Sequence, residues 1–166
     1  KVMGKADAPN VLVEYASATC DHCRNFHMTV LPEMKEKFID TGRLKLVFRE
    51  FPLDQAALAA FMLARCAPDD KYFPLVDMFF RRQQVWTKGD KAAELFRITQ
   101  MAGFTPDTFN ACLGRKDYAA IISQSARVAA TKLGMKGTPT LFLNGRLLAF
   151  PKIEDLGTII AGKLKP

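Results

Sequence analysis

Two cysteines separated by two residues, Cys20 and Cys23, follow a short apolar run and stand at the start of a predicted helix. The surrounding stretch, ATCDHCRNFH at 18–27, contains two of the four cysteines and both histidines of the chain. Two thiols one helical turn apart can close a disulfide with little backbone movement. We therefore expect this part of the chain to form a strand, a tight turn and the N-terminus of a helix, in that order. The spacing leaves three kinds of site open: a zinc ligand set, a structural disulfide or a redox centre.

The segments around this stretch predict a strand, a helix and a second strand. NVLVEYAS (10–17) is a nearly unbroken apolar run, which is typical of a strand buried on both faces. Apolar residues at a spacing of four from Phe26 to Phe38 predict a helix over 20–39, bent at Pro32 and ended by Gly42. RLKLVFREF (43–51) alternates basic and apolar residues and predicts the second strand. This order favours a right-handed parallel crossover.

The rest of the chain predicts a helical block followed by a hairpin. Residues 54–134 indicate four or five helices, with Asp54 and Thr105 as N-caps. TLFLNGRLLAF (140–150) places Asn144-Gly145 between two apolar runs, which predicts a β-hairpin, and a short helix is expected near 153–164. We therefore divide the chain into 1–53 with the cysteine pair, 54–134 as an inserted helical domain, and 135–166.

Composition excludes several classes of protein. The chain has 166 residues, 49% of them apolar and 25% charged, and no apolar run approaches the ~20 residues of a membrane span. The net charge of +7 is scattered without an aromatic and basic cluster, so we expect no nucleic-acid partner. The sequence starts at Lys1 without an apolar signal core, and we expect a targeting segment to be absent from the chain as given.

The position of Cys20 at a helix N-terminus favours its thiolate. Unpaired backbone N–H groups and the helix dipole stabilise an anion there, and the His22 imidazole acts in the same direction. A stable thiolate stabilises the reduced form and makes the disulfide a stronger oxidant. The Asp21 carboxylate opposes the thiolate, and we expect it to moderate the oxidising power without abolishing it.

Two other interpretations of the stretch carry less weight. Cys20, Cys23 and His27 are all potential zinc ligands, but a structural zinc needs a fourth ligand, and no second pair at standard spacing is present. A structural disulfide across so short a loop would constrain the unfolded chain very little. Taken alone, His27 is best interpreted as a solvated or packed helix residue.

Three features together carry a family resemblance: VEYASATCDHC at the end of a strand, the helical insertion, and GTPTLFLNG at 137–145. They resemble the DsbA-like thiol:disulfide oxidoreductases of the thioredoxin fold, most of all those of alpha-proteobacteria. The resemblance covers essentially the whole chain. It implies an α/β thioredoxin fold with a mixed central sheet and an inserted helical domain between the βαβ and ββα halves.

The resemblance also implies roles around the cysteine pair. Cys20 would be the exposed nucleophile and Cys23 the buried resolving thiol, while His22 matches the histidine of the family's dipeptide. Asp21 departs from the family's usual proline. Glu14, six residues before Cys20, matches a buried acid that handles the proton of the active-site cysteines.

Two further pairs follow from the resemblance. Thr138 and Pro139 match the loop whose proline is cis in this fold, and the backbone of Thr138 would bind an extended substrate peptide. Cys66 and Cys112 would form a structural disulfide in an oxidising compartment, which stabilises the chain by roughly 4 kcal/mol through loop-closure entropy.

The implied activity is that of a protein-disulfide oxidoreductase, a dithiol oxidase of the periplasm that assists protein folding. Its redox-active disulfide would need no further cofactor and no metal. Its partners would be cysteine-containing exported proteins and a DsbB-type membrane quinone reductase that reoxidises it, and we expect a monomer. The alternatives are a reductase or isomerase of the same fold, and a non-catalytic zinc-binding module.

Overall fold

The computed structural model describes residues 1–150 and 152–165, and a five-stranded mixed sheet lies at its centre. The strands are β1 (Val2–Met3), β2 (Asn10–Ala16), β3 (Leu44–Glu50), β4 (Thr140–Leu143) and β5 (Arg146–Leu147). Their order is β1-β3-β2-β4-β5. The predicted parallel pairing joins β2 to β3, whereas β1, β4 and β5 pair antiparallel with their neighbours. The mixed sheet expected from the sequence is therefore confirmed.

Burial alternates along the central strand β2. Leu12, Glu14 and Ala16 point to one face and are fully buried, as the two-residue period of a strand requires. The side chains between them, Val13 and Tyr15, are only partly buried. The expectation that both faces of this strand are fully buried is therefore wrong for one of the two faces.

The helix that follows β2 runs from Asp21 to Ile39 and changes its hydrogen-bond register twice. It consists of α1 (Asp21–Asn25), a π-helical turn (Phe26–Val30), α2 (Leu31–Met34) and a second π-helical turn (Lys35–Ile39). The first π-helical turn ends two residues before Pro32, which has no N–H to donate to the preceding turn. A π-helical turn contains more residues than an α-helical turn, so apolar residues spaced by four stay on one face of the helix. Phe26, Val30 and Met34 are buried on that face.

Six helices connect β3 to β4 within the described residues, one or two more than the sequence indicated. They are α3 (Gln55–Cys66), α4 (Asp69–Arg81), α5 (Gln83–Trp86), α6 (Lys91–Gln100), α7 (Pro106–Leu113) and α8 (Lys116–Lys132). The predicted N-caps are present: Asp54 accepts from the N–H of Ala57, and Thr105 forms a capping box with Thr108. A disulfide with an S–S distance of 2.09 Å joins Cys66 to Cys112 and so ties α3 to α7.

A buried ion pair connects this helical block to the sheet. Glu50, at the end of β3, accepts from Arg65 Nε at 2.8 Å and Nη2 at 2.9 Å. The Tyr72 hydroxyl of α4 donates to the same carboxylate at 2.7 Å. Burial opposes ionisation of Glu50, but the hydrogen bonds and charge of Arg65 outweigh it, so the pKa of Glu50 is lowered. The carboxylate therefore stays charged and holds α3 and α4 at the end of the sheet.

The C-terminal part contains the predicted hairpin. Asn144 has φ of +52° and Gly145 of +80°, which is the backbone that a two-residue hairpin turn requires. A 3₁₀ turn (Ile153–Asp155) and α9 (Leu156–Ala161) follow, in place of one helix over 153–164. No helix among residues 1–150 and 152–165 is both long and apolar enough to cross a membrane.

Candidate active site

The two cysteines lie where β2 gives way to the long helix. The backbone N–H of Cys20 donates to the Ser17 carbonyl at 3.1 Å, which closes the turn after the strand. Cys20 is the N-cap of α1, and its Sγ accepts from the N–H of Cys23 at 3.4 Å. Cys20 is half-buried, whereas Cys23 is fully buried in the apolar cluster formed by the helical block. Both thiols are free, so the structure shows the reduced pair.

The environment of Cys20 favours its thiolate. Its pKa is lowered from 9.0 to about 5. The hydrogen bond from the Cys23 thiol is the largest cause, partial burial opposes it, and the Thr138 side chain and the N–H groups of Cys23 and His22 lower the pKa further. The contribution of His22 is thus made by its backbone N–H, whereas the sequence pointed to its imidazole.

The pKa of Cys23 is shifted in the opposite direction. Burial is the largest cause that raises its pKa, and the sulfur and charge of Cys20 and the charge of Glu14 raise it further. At neutral pH the pair therefore consists of an accessible thiolate and a buried neutral thiol that donates to it.

The loop at Thr138 faces the cysteines across the site. The peptide bond between Thr138 and Pro139 is cis, and the Thr138 carbonyl oxygen lies 3.2 Å from Cys20 Sγ. A cavity of about 450 Å³ opens beside this loop. Its lining includes His22, Asn25, Thr138, Pro139 and Phe150. The turn between the two cysteines and the proline loop thus border one surface depression.

Glu14 is fully buried beneath the helix, and its partner is His27. The Nε2 atom of His27 lies 3.0 Å from Oε1 and 3.1 Å from Oε2 of Glu14. His27 also stacks on Phe80 of α4, with ring centroids 4.1 Å apart. The sequence placed Glu14 in the site and interpreted His27, taken alone, as a solvated or packed helix residue. It did not predict that the two side chains form a pair, although His27 lies four residues after Cys23 on the same face of the helix.

Two glutamines of α5 hold the turn that carries the cysteines. Gln83 Nε2 donates to the carbonyls of Ala18 at 2.8 Å and Cys20 at 3.0 Å. Gln84 Nε2 donates to the exposed carboxylate of Asp21 at 2.7 Å. No local sequence pattern predicts these contacts, because the partners are 63 or 65 residues apart in the chain. Asp21 is thus hydrogen-bonded to the helical block, and it is absent from the main influences on the pKa of Cys20.

The donors named for zinc do not converge. In the described ranges, no three side chains of the His, Cys, Asp and Glu types are grouped so that they could hold a metal ion. His27 directs Nε2 to Glu14. The arrangement of Cys20, Cys23 and His27 therefore does not match the zinc site considered as an alternative.

Comparisons with known proteins agree with this geometry. A family model described as Thioredoxin matches residues 1–161. The crystal structure of Wolbachia pipientis alpha-DsbA1 has 33% sequence identity and a TM-score of 0.89, covering 99% of this chain and 89% of that one. The structure of oxidised BdbD from Bacillus subtilis, at 21% identity and a TM-score of 0.83, shares the fold.

A protein of Rickettsia bellii whose name contains the words protein-disulfide oxidoreductase is 36% identical over 146 residues. That match covers 87% of this chain but only 56% of the relative, so the chain spans little more than half the length of this relative. The family match and the Wolbachia structure confirm the thioredoxin fold with its inserted helices. The chain belongs to the thioredoxin family and, within it, to the DsbA-like proteins.

Proposed function

We propose that this protein is a thiol:disulfide oxidoreductase that donates the Cys20–Cys23 disulfide to cysteine-containing exported proteins through a mixed disulfide. One observation carries the proposal: half-buried Cys20 caps the N-terminus of α1 beside fully buried Cys23, and its Sγ lies 3.2 Å from the carbonyl oxygen of Thr138 in the cis-proline loop. In this position the pKa of Cys20 is lowered to about 5, whereas that of Cys23 is raised. A thiolate stabilised to this degree favours the reduced pair, so the oxidised pair tends to accept electrons. The names of the relatives support the same activity.

The reaction begins from the oxidised pair. A substrate thiolate attacks Cys20 Sγ, the bond between Cys20 and Cys23 breaks, and Cys23 receives the electron pair. A second substrate thiolate attacks the substrate sulfur of the mixed disulfide, and Cys20 departs as a thiolate. The substrate loses two electrons, which the cysteine pair gains. The low pKa of Cys20 assists this departure, because a more acidic thiol is a better leaving group.

The depression beside the cis-proline loop supports a binding role for Thr138 and Pro139. It is lined by His22 and Asn25 as well as by the loop itself, and the Thr138 carbonyl oxygen lies 3.2 Å from Cys20 Sγ. A peptide in extended conformation can pair with exposed backbone groups at such an edge. We infer that Thr138 and Pro139 position the substrate cysteine over Cys20.

The cellular setting is part of the same proposal. A disulfide donor acts in an oxidising compartment, and the compartment that we propose is the periplasm. After each cycle the reduced pair must pass its two electrons onward, and a DsbB-type membrane quinone reductase is the proposed acceptor. The redox-active disulfide itself carries the electrons, so the reaction requires no additional cofactor.

The redox equilibrium of the pair with glutathione tests the direction of transfer. We expect a reduction potential closer to the ~−120 mV of DsbA than to the ~−270 mV of thioredoxin. A value near that of thioredoxin would contradict the oxidase and favour the reductase or isomerase. Because the equilibrium is measured on the isolated protein, the result does not depend on a known substrate.

A trapping experiment tests the exchange itself. In Cys23→Ala, the Cys20 thiolate can still attack a disulfide of an exported protein and expel one of its sulfurs as a thiolate, but no Cys23 thiol is left to displace the bound protein, so covalent adducts with Cys20 are expected to accumulate. Cys20→Ala is the matched control, because it retains the buried thiol and removes the accessible one. If the two variants trap equally few proteins, the chain has no exchange activity on such substrates.

A further inference from the structure

Glu14 of β2 and His27 of the long helix form a buried hydrogen-bonded pair. Glu14 is fully buried, His27 is 4% exposed, and the Nε2 atom of His27 lies 3.0 Å from Oε1 of Glu14. Glu14 lies beneath the helix that contains Cys23, and a buried carboxylate is energetically costly unless it is hydrogen-bonded. The charge of Glu14 also acts on Cys23, since Glu14 is one of the groups that raise the pKa of that thiol. The pair is therefore electrostatically coupled to the cysteine that must gain and lose a proton.

His27 also borders a second cavity. This cavity has a volume of about 330 Å³ and lies between the long helix and α4. Its walls are apolar, with Leu31, Phe73 and Pro74 among them, and it opens to the surface at Lys35 and Arg81. Glu14 is not among the residues that line it. His27 thus stands between the buried carboxylate and space that solvent can reach.

The other groups around the imidazole do not compete for its proton. Phe48 of β3 and Phe80 of α4 present aromatic rings to it. At the cavity mouth the charged side chains are paired with one another: Lys35 with Asp40, and Asp77 with Arg81. The Tyr72 hydroxyl of α4 is engaged with Glu50. Among the residues that the structure describes, Glu14 is the one hydrogen-bond partner of the His27 ring.

We propose that His27 is a positioning residue that relays a proton between Glu14 and the solvent-reached cavity beneath α4, and so governs the protonation of Cys23. This inference rests on the proposed function. The relay needs two arrangements of one hydrogen bond: the imidazole Nε2–H donates to the carboxylate, or the protonated carboxyl group donates to Nε2. Imidazole is suited to this task because either ring nitrogen can carry the proton.

The proton balance follows from the exchange steps. When a substrate thiolate breaks the bond between Cys20 and Cys23, the buried Cys23 thiolate takes a proton from Glu14, which His27 reprotonates from the cavity side. When the pair is reoxidised, Cys23 returns its proton to Glu14 before its thiolate attacks the mixed disulfide at Cys20. The proton then leaves through His27. No electron passes through Glu14 or His27 in either direction.

The test separates the two steps of oxidation by glutathione disulfide. In the first step the Cys20 thiolate attacks the disulfide and forms a mixed disulfide with glutathione, which needs no proton from Cys23. In the second step Cys23 loses its proton and closes the ring. Rapid mixing of reduced protein with glutathione disulfide, followed by acid quench and mass determination, gives both rate constants.

His27→Gln retains an N–H donor for Glu14 but cannot relay a proton. We expect the second rate constant to fall by about a hundredfold, at the lower end of the range for lost acid–base assistance, while the first stays within about twofold. Glu14→Gln should cause the same fall, and the double variant should be no slower than either single variant. Phe73→Leu is the matched control, because it alters an apolar wall of the same cavity and should leave both rate constants within about twofold.

His27→Ala adds a rescue experiment that does not depend on the glutamine variant. Its shortened side chain enlarges the existing cavity, so free imidazole should enter and restore the second rate constant in proportion to its concentration. Unchanged second steps in the His27 variants, equal slowing of both steps, or absence of rescue would overturn the relay. If wild-type protein fails to exchange with glutathione disulfide at all, the proposed function itself fails.

Discussion

Reduction of the Cys20–Cys23 pair should stabilise the folded protein, and the gain should grow as the pH rises from 5 to 8. The folded-state pKa of Cys20 is about 5, against 9.0 for an unperturbed thiol. Between these values the folded state binds fewer protons than the unfolded state, so stability rises with pH and is lost as the pH falls through 5. The raised pKa of Cys23 keeps that thiol neutral in the folded state, and the ordinary value of 9.0 keeps it mostly neutral in the unfolded state over this range, so Cys23 adds little to the slope. The oxidised protein has no thiolate, and its stability lacks this dependence.

The expected size follows from the shift and the exposure of the thiol. The pKa values of 9.0 and about 5 differ by four units, and each unit corresponds to about 1.4 kcal/mol. Cys20 is only half-buried, so solvent screening reduces the effect, and we take about half of the full value, or about 2–3 kcal/mol. Most of this gain should be present at pH 8.

Urea unfolding of the reduced and the oxidised protein at pH 5, 6.5 and 8 measures this gain directly. The difference in free energy of unfolding, reduced minus oxidised, should increase with pH. The entropic contribution of the disulfide is independent of pH, so it shifts the difference without changing its slope. Reduced Cys20→Ser protein should lose the slope. A difference that is flat or falls with pH would refute the stabilised thiolate.

Two further perturbations concern the second disulfide and the residue between the active-site cysteines. The double substitution of Cys66→Ala and Cys112→Ala opens a loop with a sequence separation of 46 residues. It should lower the free energy of unfolding by about 4 kcal/mol in urea titrations, and a loss below about 1 kcal/mol would contradict the loop-entropy argument. Asp21→Pro removes an exposed carboxylate that is hydrogen-bonded to Gln84 and is not a main influence on Cys20, so it should lower the pKa of Cys20 only slightly, as measured by thiolate absorbance against pH; an upward shift, or a large downward one, would contradict this.

The parts of the fold that the sequence predicted depend on local signals. Hydrophobic pattern identified β2, β3 and the long helix, and capping chemistry located the starts of α3 and α7. The Asn144-Gly145 turn needs positive φ at both residues, and that requirement is visible in the residue types themselves. Each of these features is decided within a few residues of the chain, where one sequence contains all the participants.

The parts that the sequence missed depend on contacts between distant segments. Nothing in the sequence distinguishes Gln83 from other helical glutamines. Only the folded chain brings its side chain to the Ala18 and Cys20 carbonyls. The pairing of Glu50 with Arg65 and Tyr72 is likewise decided by how α3 and α4 pack on β3. His27 is intermediate: its helical spacing from Cys23 was visible, but burial against Phe80 and Glu14 requires α4 to be in place.

The chemistry at Cys20 depends on those distant contacts more than on its helix N-terminus. The largest cause of its low pKa is the hydrogen bond from Cys23, and Cys23 can donate because burial keeps it neutral. That burial comes from the cluster of the helical block, to which Phe79 and Phe80 of α4 belong. The opposite pKa shifts of the two cysteines therefore share one physical origin. A change that admits water to Cys23 should weaken the Cys20 thiolate even where the motif itself is intact.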